Sequence, residues 1–139
     1  MRPVLVDSGF IVALLDRQDK RHAECRAAIQ DLSRPFVTCE AVISESCYLL
    51  RRVPGASLAV VANVDEGTFE VPFRFTGAVS TIRAIMLKYR DVPADFADAC
   101  LIHMADELDT GDILTLDSDF ISYRWRRTRP FQPLIPLLG

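Results

Sequence analysis

Two short apolar runs, each closed by an aspartate, constrain this chain most. Pro3-Val4-Leu5-Val6 ends in Asp7, and Ile113-Leu114-Thr115-Leu116 ends in Asp117. Both are short, rich in branched residues and flanked by turn formers, so they read as buried strands. Two further acids, Glu45 and Asp98, fall on the apolar stripes of predicted helices. At about 100° per residue, Val42, Glu45 and Leu49 share a face, and Asp98 shares one with Leu101, Ile102 and Ala105. A buried carboxylate is costly unless it is paired with a cation or binds a metal.

Each of these acids has an ordinary reading by itself. An aspartate after a strand is often a turn or cap residue, and an acid on an apolar helix face is usually partnered by an arginine or a backbone N–H. Taken together, strand-end and helical acids point independently toward one edge of one sheet.

The rest of the chain supplies that sheet. Residues 3–6 are the first strand, and residues 10–15 begin a short apolar helix after a turn at Ser8-Gly9. Residues 22–32 form an amphipathic helix and residues 36–38 a short strand. Helices follow over 40–51 and 56–64, then a strand over 69–73. A helix opening at Thr76 or Gly77 runs to about Tyr89, and another covers 94–108. Residues 113–116 form a strand, and a last strand is expected near 134–137, between Pro133 and Pro136. Strands alternating with helices predict an α/β fold with a mostly parallel central sheet. No linker, repeat or low-complexity tract divides residues 1–139, so one domain is expected. Ligands of open parallel sheets bind beyond the carboxyl ends of the strands, where Asp7 and Asp117 are placed.

Composition narrows the function. Half of the residues are hydrophobic and a quarter are charged, as in soluble globular proteins. No apolar stretch approaches the roughly 18 residues that span a bilayer. The N-terminus has no basic segment followed by an apolar core and a cleavage site, so a cytoplasmic protein is expected. The cysteines Cys25, Cys39, Cys47 and Cys100 lack zinc-like spacing and are expected to be small core residues. A net charge of −3 argues against coating nucleic acid by charge alone. Yet Arg124-Trp125-Arg126-Arg127-Thr128-Arg129 concentrates four arginines and an indole. These could grip RNA phosphates and stack a base. The ordinary alternatives are a solvated turn or arginines that pair with a partner's acids. Arg51 and Arg52 are expected to complement a helix dipole. His22 and His103 are expected to be surface or packing residues. Tyr48 and Tyr89 are expected in core or dimer contacts.

Oxygen-only ligands suit Mg²⁺ or Mn²⁺ rather than Zn²⁺. Such ions favour phosphate oxygens, and the chemistry that follows is phosphodiester hydrolysis. A receiver-like signalling domain would need paired acids after the first strand and a strand-end lysine. The only lysines, Lys20 and Lys88, are not at strand ends. A haloacid-dehalogenase-type phosphatase would need Asp-x-Asp where this chain has Asp7-Ser8-Gly9.

The segments Leu5-Val6-Asp7-Ser8, the helix with Glu45, Asp95-Phe96-Ala97-Asp98-Ala99 and Leu114-Thr115-Leu116-Asp117-Ser118-Asp119-Phe120 resemble the PIN domain. The match is especially similar to the VapC-type toxins of toxin–antitoxin pairs. Its most specific element is the Thr115–Phe120 stretch. The resemblance implies a Rossmann-like sheet flanked by helices and a Mg²⁺- or Mn²⁺-dependent endoribonuclease, with Asp7, Glu45, Asp98 and Asp117 as the catalytic and metal-binding quartet. It implies that Ser8 and Thr115 orient water or a carboxylate, and that Asp95 and Asp119 are outer candidates. It further implies a homodimer and inhibition by a small antitoxin protein. A PIN nuclease of RNA processing or turnover, and an inactive PIN-fold binding module, are the alternatives. Retaining all four acids without a cation would cost the latter stability.

Overall fold

The computed structural model describes residues 1–137. Its centre is a five-stranded parallel sheet in which Phe69–Glu70, Phe36–Val37, Val4–Val6, Asp112–Leu114 and Gln132–Pro133 lie side by side in that order. The strands are β1 (Val4–Val6), β2 (Phe36–Val37), β3 (Phe69–Glu70), β4 (Asp112–Leu114) and β7 (Gln132–Pro133). The helices are α1 (Ser8–Leu15), α2 (His22–Asp31), α3 (Glu40–Leu49), α4 (Ala56–Asp65), α5 (Val79–Lys88) and α6 (Phe96–Leu108). A two-stranded hairpin, β5 (Arg124–Trp125) with β6 (Arg129–Pro130), lies outside the sheet. The expected α/β architecture is what the chain adopts.

β1 is buried on both faces, as continuous apolar strands in parallel sheets are. It lies between β2 and β4, with Leu5 opposite Ile113 and Val6 opposite Leu114. The chain builds outward from β1 to β2 and β3, then returns to place β4 on the other side. The strand order reverses between β1 and β4, and in open parallel sheets ligands bind beyond the carboxyl ends of the strands at such a point. The fixed β1–β4 register delivers Asp7 and Asp117 to it. α6 lies beside the sheet and is buried over most of its circumference, including Ala97, Ala99, Leu101, Ile102 and Met104.

Several boundaries differ from expectation. α1 starts at Ser8 because Asp7 caps it, its carboxylate accepting from the Ser8 N–H. β3 stops at Glu70, and Pro72 lacks the N–H that a longer ladder needs. β4 ends at Leu114, and the next residue, Thr115, donates its hydroxyl to Asp7. The last strand is at Gln132–Pro133 rather than 134–137. Pro133 is tolerated there because β7 is an edge strand, and the Leu134 N–H adds a bond to the Ile113 carbonyl. The Arg-rich segment, for which a solvated turn was one alternative, is a hairpin. Trp125 is buried and donates Nε1–H to the Pro130 carbonyl at 3.2 Å. Gly111 is required beneath it, since a Cβ there would stand 2.7 Å from indole Cε2.

The core of α3 is the stripe Val42, Ser46 and Leu50. Leu49 is 50% exposed, so the predicted Val42–Glu45–Leu49 face is displaced, and Glu45 sits half-buried on its flank. Tyr89 is buried as expected, whereas Tyr48 is exposed and stacks under Arg51. Arg51 also donates to the Tyr48 carbonyl near the end of α3. All four cysteines are unpaired, with Cys25, Cys39 and Cys100 buried. His22 reaches the Ala13 carbonyl, and His103 pairs with Glu107. Among the described residues, no helix is long and apolar enough to cross a membrane.

Candidate metal centre

Carboxylate oxygens of Asp7, Asp98 and Asp117 lie within 4.8 Å of one another, although the residues are as much as 110 positions apart in sequence. Asp7 and Asp98 are buried, and Asp117 is half-buried. Glu45 stands outside this tight triad but is joined to it, because the Ser8 hydroxyl donates to Glu45 Oε1. Its charge also raises the Asp7 pKa, as does that of Asp117. The predicted quartet is therefore three converging carboxylates and a fourth on the rim.

Local structure fixes each side chain. Asp7 Oδ1 accepts from the Ser8 N–H at 2.8 Å, and Oδ2 accepts from the Thr115 hydroxyl at 2.9 Å. Thr115 Oγ1 in turn accepts from the Asp117 N–H at 3.0 Å, and Asp117 Oδ1 accepts from the Asp119 N–H at 2.9 Å. Ser8 and Thr115 thus orient carboxylates. Asp119 is exposed and meets Asp117 through its backbone N–H. Asp95 is the N-cap of α6, accepting from the Asp98 N–H at 2.8 Å. That bond sets the helix start that aims Asp98 inward.

One contributor went unanticipated. Tyr123, fully buried, donates its hydroxyl to Asp98 Oδ2 at 2.9 Å. The sequence offers one faint signal for it: a phenol rather than a phenyl ring shortly after the Asp117 turn.

Electrostatics mark the pocket. Burial raises the Asp7 pKa to about 6, against the lowering effect of the Ser8 and Thr115 hydrogen bonds. Burial, then the charges of Asp95 and Asp7, raise Asp98 to about 7. The Tyr123 hydroxyl is also pushed upward, by burial and by the charge of Asp98. Among the described residues no ion pair involves Asp7, Glu45, Asp98 or Asp117. At the opposite end of β4, Asp112 is paired with Arg34 at 2.6 Å. Among the described residues, an acid at one end of the sheet is thus compensated, while the cluster at the other has no cation partner. Oxygen-only donors, convergent and lacking a protein counter-charge, fit a hard divalent cation.

The arginine cluster is divided. Arg126 is tied to α6, its N–H donating to Asp106 and its guanidinium pairing with Asp109 at 2.9 Å. Asp106 lies eight residues beyond Asp98, about 12 Å along the helix at 1.5 Å per residue. Arg124 donates to the Ile121 and Tyr123 carbonyls. Trp125 packs over Gly111 with the Arg126 and Arg129 guanidiniums at 5.8 and 5.2 Å from its ring centre. Its indole is thus a packing group rather than an open face for a base. Arg127 and Arg129 remain exposed.

Residues 4–126 match the PIN domain family model, and the chain belongs to that family. Among curated proteins it is similar to ribonuclease VapC26 of Mycobacterium tuberculosis, with 28% identity over 116 residues, 82% of this chain and 86% of that protein. Among solved structures it is similar to the crystal structure of M. tuberculosis VapC20, described as a sarcin-ricin loop cleaving toxin. The TM-score is 0.80 at 21% identity, covering 91% of this chain and 99% of that one. The fold is shared nearly end to end, and the VapC-type resemblance seen in the motifs holds.

Proposed function

We propose that this PIN domain protein is a divalent-metal-dependent endoribonuclease, the toxin of a toxin–antitoxin pair, with Asp7, Glu45, Asp98 and Asp117 as its catalytic acids. The observation that carries the reading is the cluster of acids at the carboxyl ends of β1 and β4, three of them convergent and none in an ion pair among the described residues. The similarity to a named VapC ribonuclease supplies RNA as the substrate class.

Asp7, Asp98 and Asp117 would hold Mg²⁺ or Mn²⁺, and Glu45 would complete the set from the rim. A bound divalent ion supplies activation of a water and neutralisation of charge developing on the scissile phosphate. The chain's own groups then have separate tasks. Thr115 and the Ser8 N–H fix both oxygens of Asp7, so its geometry is preorganised. Ser8 holds Glu45 beside Asp7, from where its carboxylate would help to hold the ion. Arg127 and Arg129, exposed and in no ion pair among the described residues, would be left to meet RNA phosphates. Arg124, Arg126 and Trp125 would act through the hairpin they hold.

A homodimer and an antitoxin partner belong to this reading. It is supported by exposed apolar side chains on two faces: Leu58 and Val61 on α4, and Val79 and Leu87 on α5. A cytoplasmic location follows from the same role.

The test is a mixed RNA pool incubated with purified protein and Mn²⁺ or Mg²⁺, beside EDTA and Asp98→Asn controls. Cleavage lost in both controls is expected. Cleavage that persists in both would overturn the reading.

A further inference from the structure

We infer that Tyr123 is a positioning residue of the acid cluster, holding Asp98 so that one carboxylate oxygen faces the cation. The inference rests on the metal-nuclease reading above and adds a residue from outside the acidic motifs.

The phenol is completely buried and meets Asp98 across 25 positions of sequence. A buried tyrosine hydroxyl needs a partner, and a phenylalanine would fill the same space without one. This hydroxyl finds its partner in the acid triad. Its ring cannot drift, because Tyr89 and Phe120 pack against it edge-to-face with centroids at 5.1 and 5.0 Å. The Tyr89 hydroxyl accepts from the Arg124 N–H at 3.0 Å, which pins the backbone just past Tyr123.

Donors distribute consistently over the triad. Thr115 and Ser8 fix Asp7, the Asp119 N–H fixes Asp117, and Tyr123 fixes Asp98. Among the described residues, the Tyr123 hydroxyl is the only side-chain donor to the Asp98 carboxylate. The hydroxyl thereby holds the Asp98 carboxylate in one orientation, with an oxygen within 4.8 Å of those of Asp7 and Asp117. Partners that orient metal-binding groups typically govern affinity or activity by about 10–100-fold.

The experiment compares wild type, Tyr123→Phe and Asp98→Asn by calorimetric Mn²⁺ titration, with metal-free thermal unfolding and steady-state RNA cleavage on the same samples. Tyr123→Phe keeps the ring and its packing. The expected result is Mn²⁺ binding weakened about 10–100-fold. Cleavage should fall in kcat at subsaturating Mn²⁺ and recover as Mn²⁺ is raised, with KM for RNA unchanged and metal-free unfolding close to wild type. A merely structural role would lower the unfolding temperature and leave Mn²⁺ affinity where it was. If wild type binds Mn²⁺, Asp98→Asn binds it less well and Tyr123→Phe binds it like wild type, the positioning role is overturned and the metal centre stands. If wild type does not bind Mn²⁺, or Asp98→Asn binds it equally well, the metal reading itself fails and this inference with it.

Discussion

Asp7 and Asp98 retain their protons to unusually high pH, and the direction of the consequence for folding follows. In an unfolded chain both ionise near pH 4. In the folded, metal-free protein they ionise near 6 and 7. The folded state therefore binds more protons through this window, and stability falls as pH rises. The favourable contribution is complete below about pH 4 and gone once pH passes about 7. Thermal unfolding in EDTA should thus show a lower midpoint at pH 8 than at pH 5.5. Asp7→Asn and Asp98→Asn should remove part of that slope. Each variant should lose cleavage completely, yet unfold at or above the wild-type temperature at pH 8, because a buried charge is removed with little change in shape. Circular dichroism melts beside an RNA cleavage assay check both halves. Wild-type cleavage rates in both variants would exclude these acids from the chemistry.

At the scale of elements, the placement of acids depends on how helices and strands begin and end. The Asp95 cap starts α6 where Asp98 meets Asp7 and Asp117. Asp95→Ala should lower stability by about 1 kcal/mol, as lost N-caps do. It should reduce cleavage far less than Asp98→Asn; an equal loss in both would promote Asp95 from cap to participant. The hairpin offers a second test. Gly111→Ala would drive a methyl group into the Trp125 indole. Overpacking of this kind costs about 1–3 kcal/mol, measurable by urea unfolding. Arg127 holds a left-handed backbone at φ 68°, which glycine adopts without a steric cost. Arg127→Gly should therefore be neutral or mildly stabilising while weakening RNA binding, a combination that a purely structural arginine would not give. Filter binding at two salt concentrations, set beside unfolding midpoints, separates the two roles.

For the whole molecule, the acid cluster forms only with the fold, because its carboxylates come from the ends of β1 and β4 and from the first turn of α6, with Glu45 of α3 beside them. Ligand binding to such a site is linked to folding. Mn²⁺ at a hundred times its Kd should stabilise wild type by about 2.7 kcal/mol. The same ion should do little for Asp98→Asn, as paired thermal scans would reveal. Much of this arrangement is legible in the chain. Apolar runs closed by Asp7 and Asp117 mark strands whose carboxyl ends carry acids, since burial on both faces leaves a strand no polar positions until it exits the sheet. Helical spacing marks Asp98 as inward-facing, because the apolar positions around it repeat with the helix period. Glu45 was less legible: the buried stripe of α3 runs through Val42, Ser46 and Leu50, and local period cannot say how a helix rolls on its neighbours. Tyr123 and the Trp125 hairpin were not legible, because both are defined by partners distant in sequence, Asp98 and Gly111. Sequence by itself determined the class of fold, the chemical character of the pocket and most of its acids, through periodicity and the cost of burying charge. Tertiary structure alone decided which carboxylates meet, which arginines stay free and which hydroxyl holds Asp98, because these are distances across the chain that packing sets.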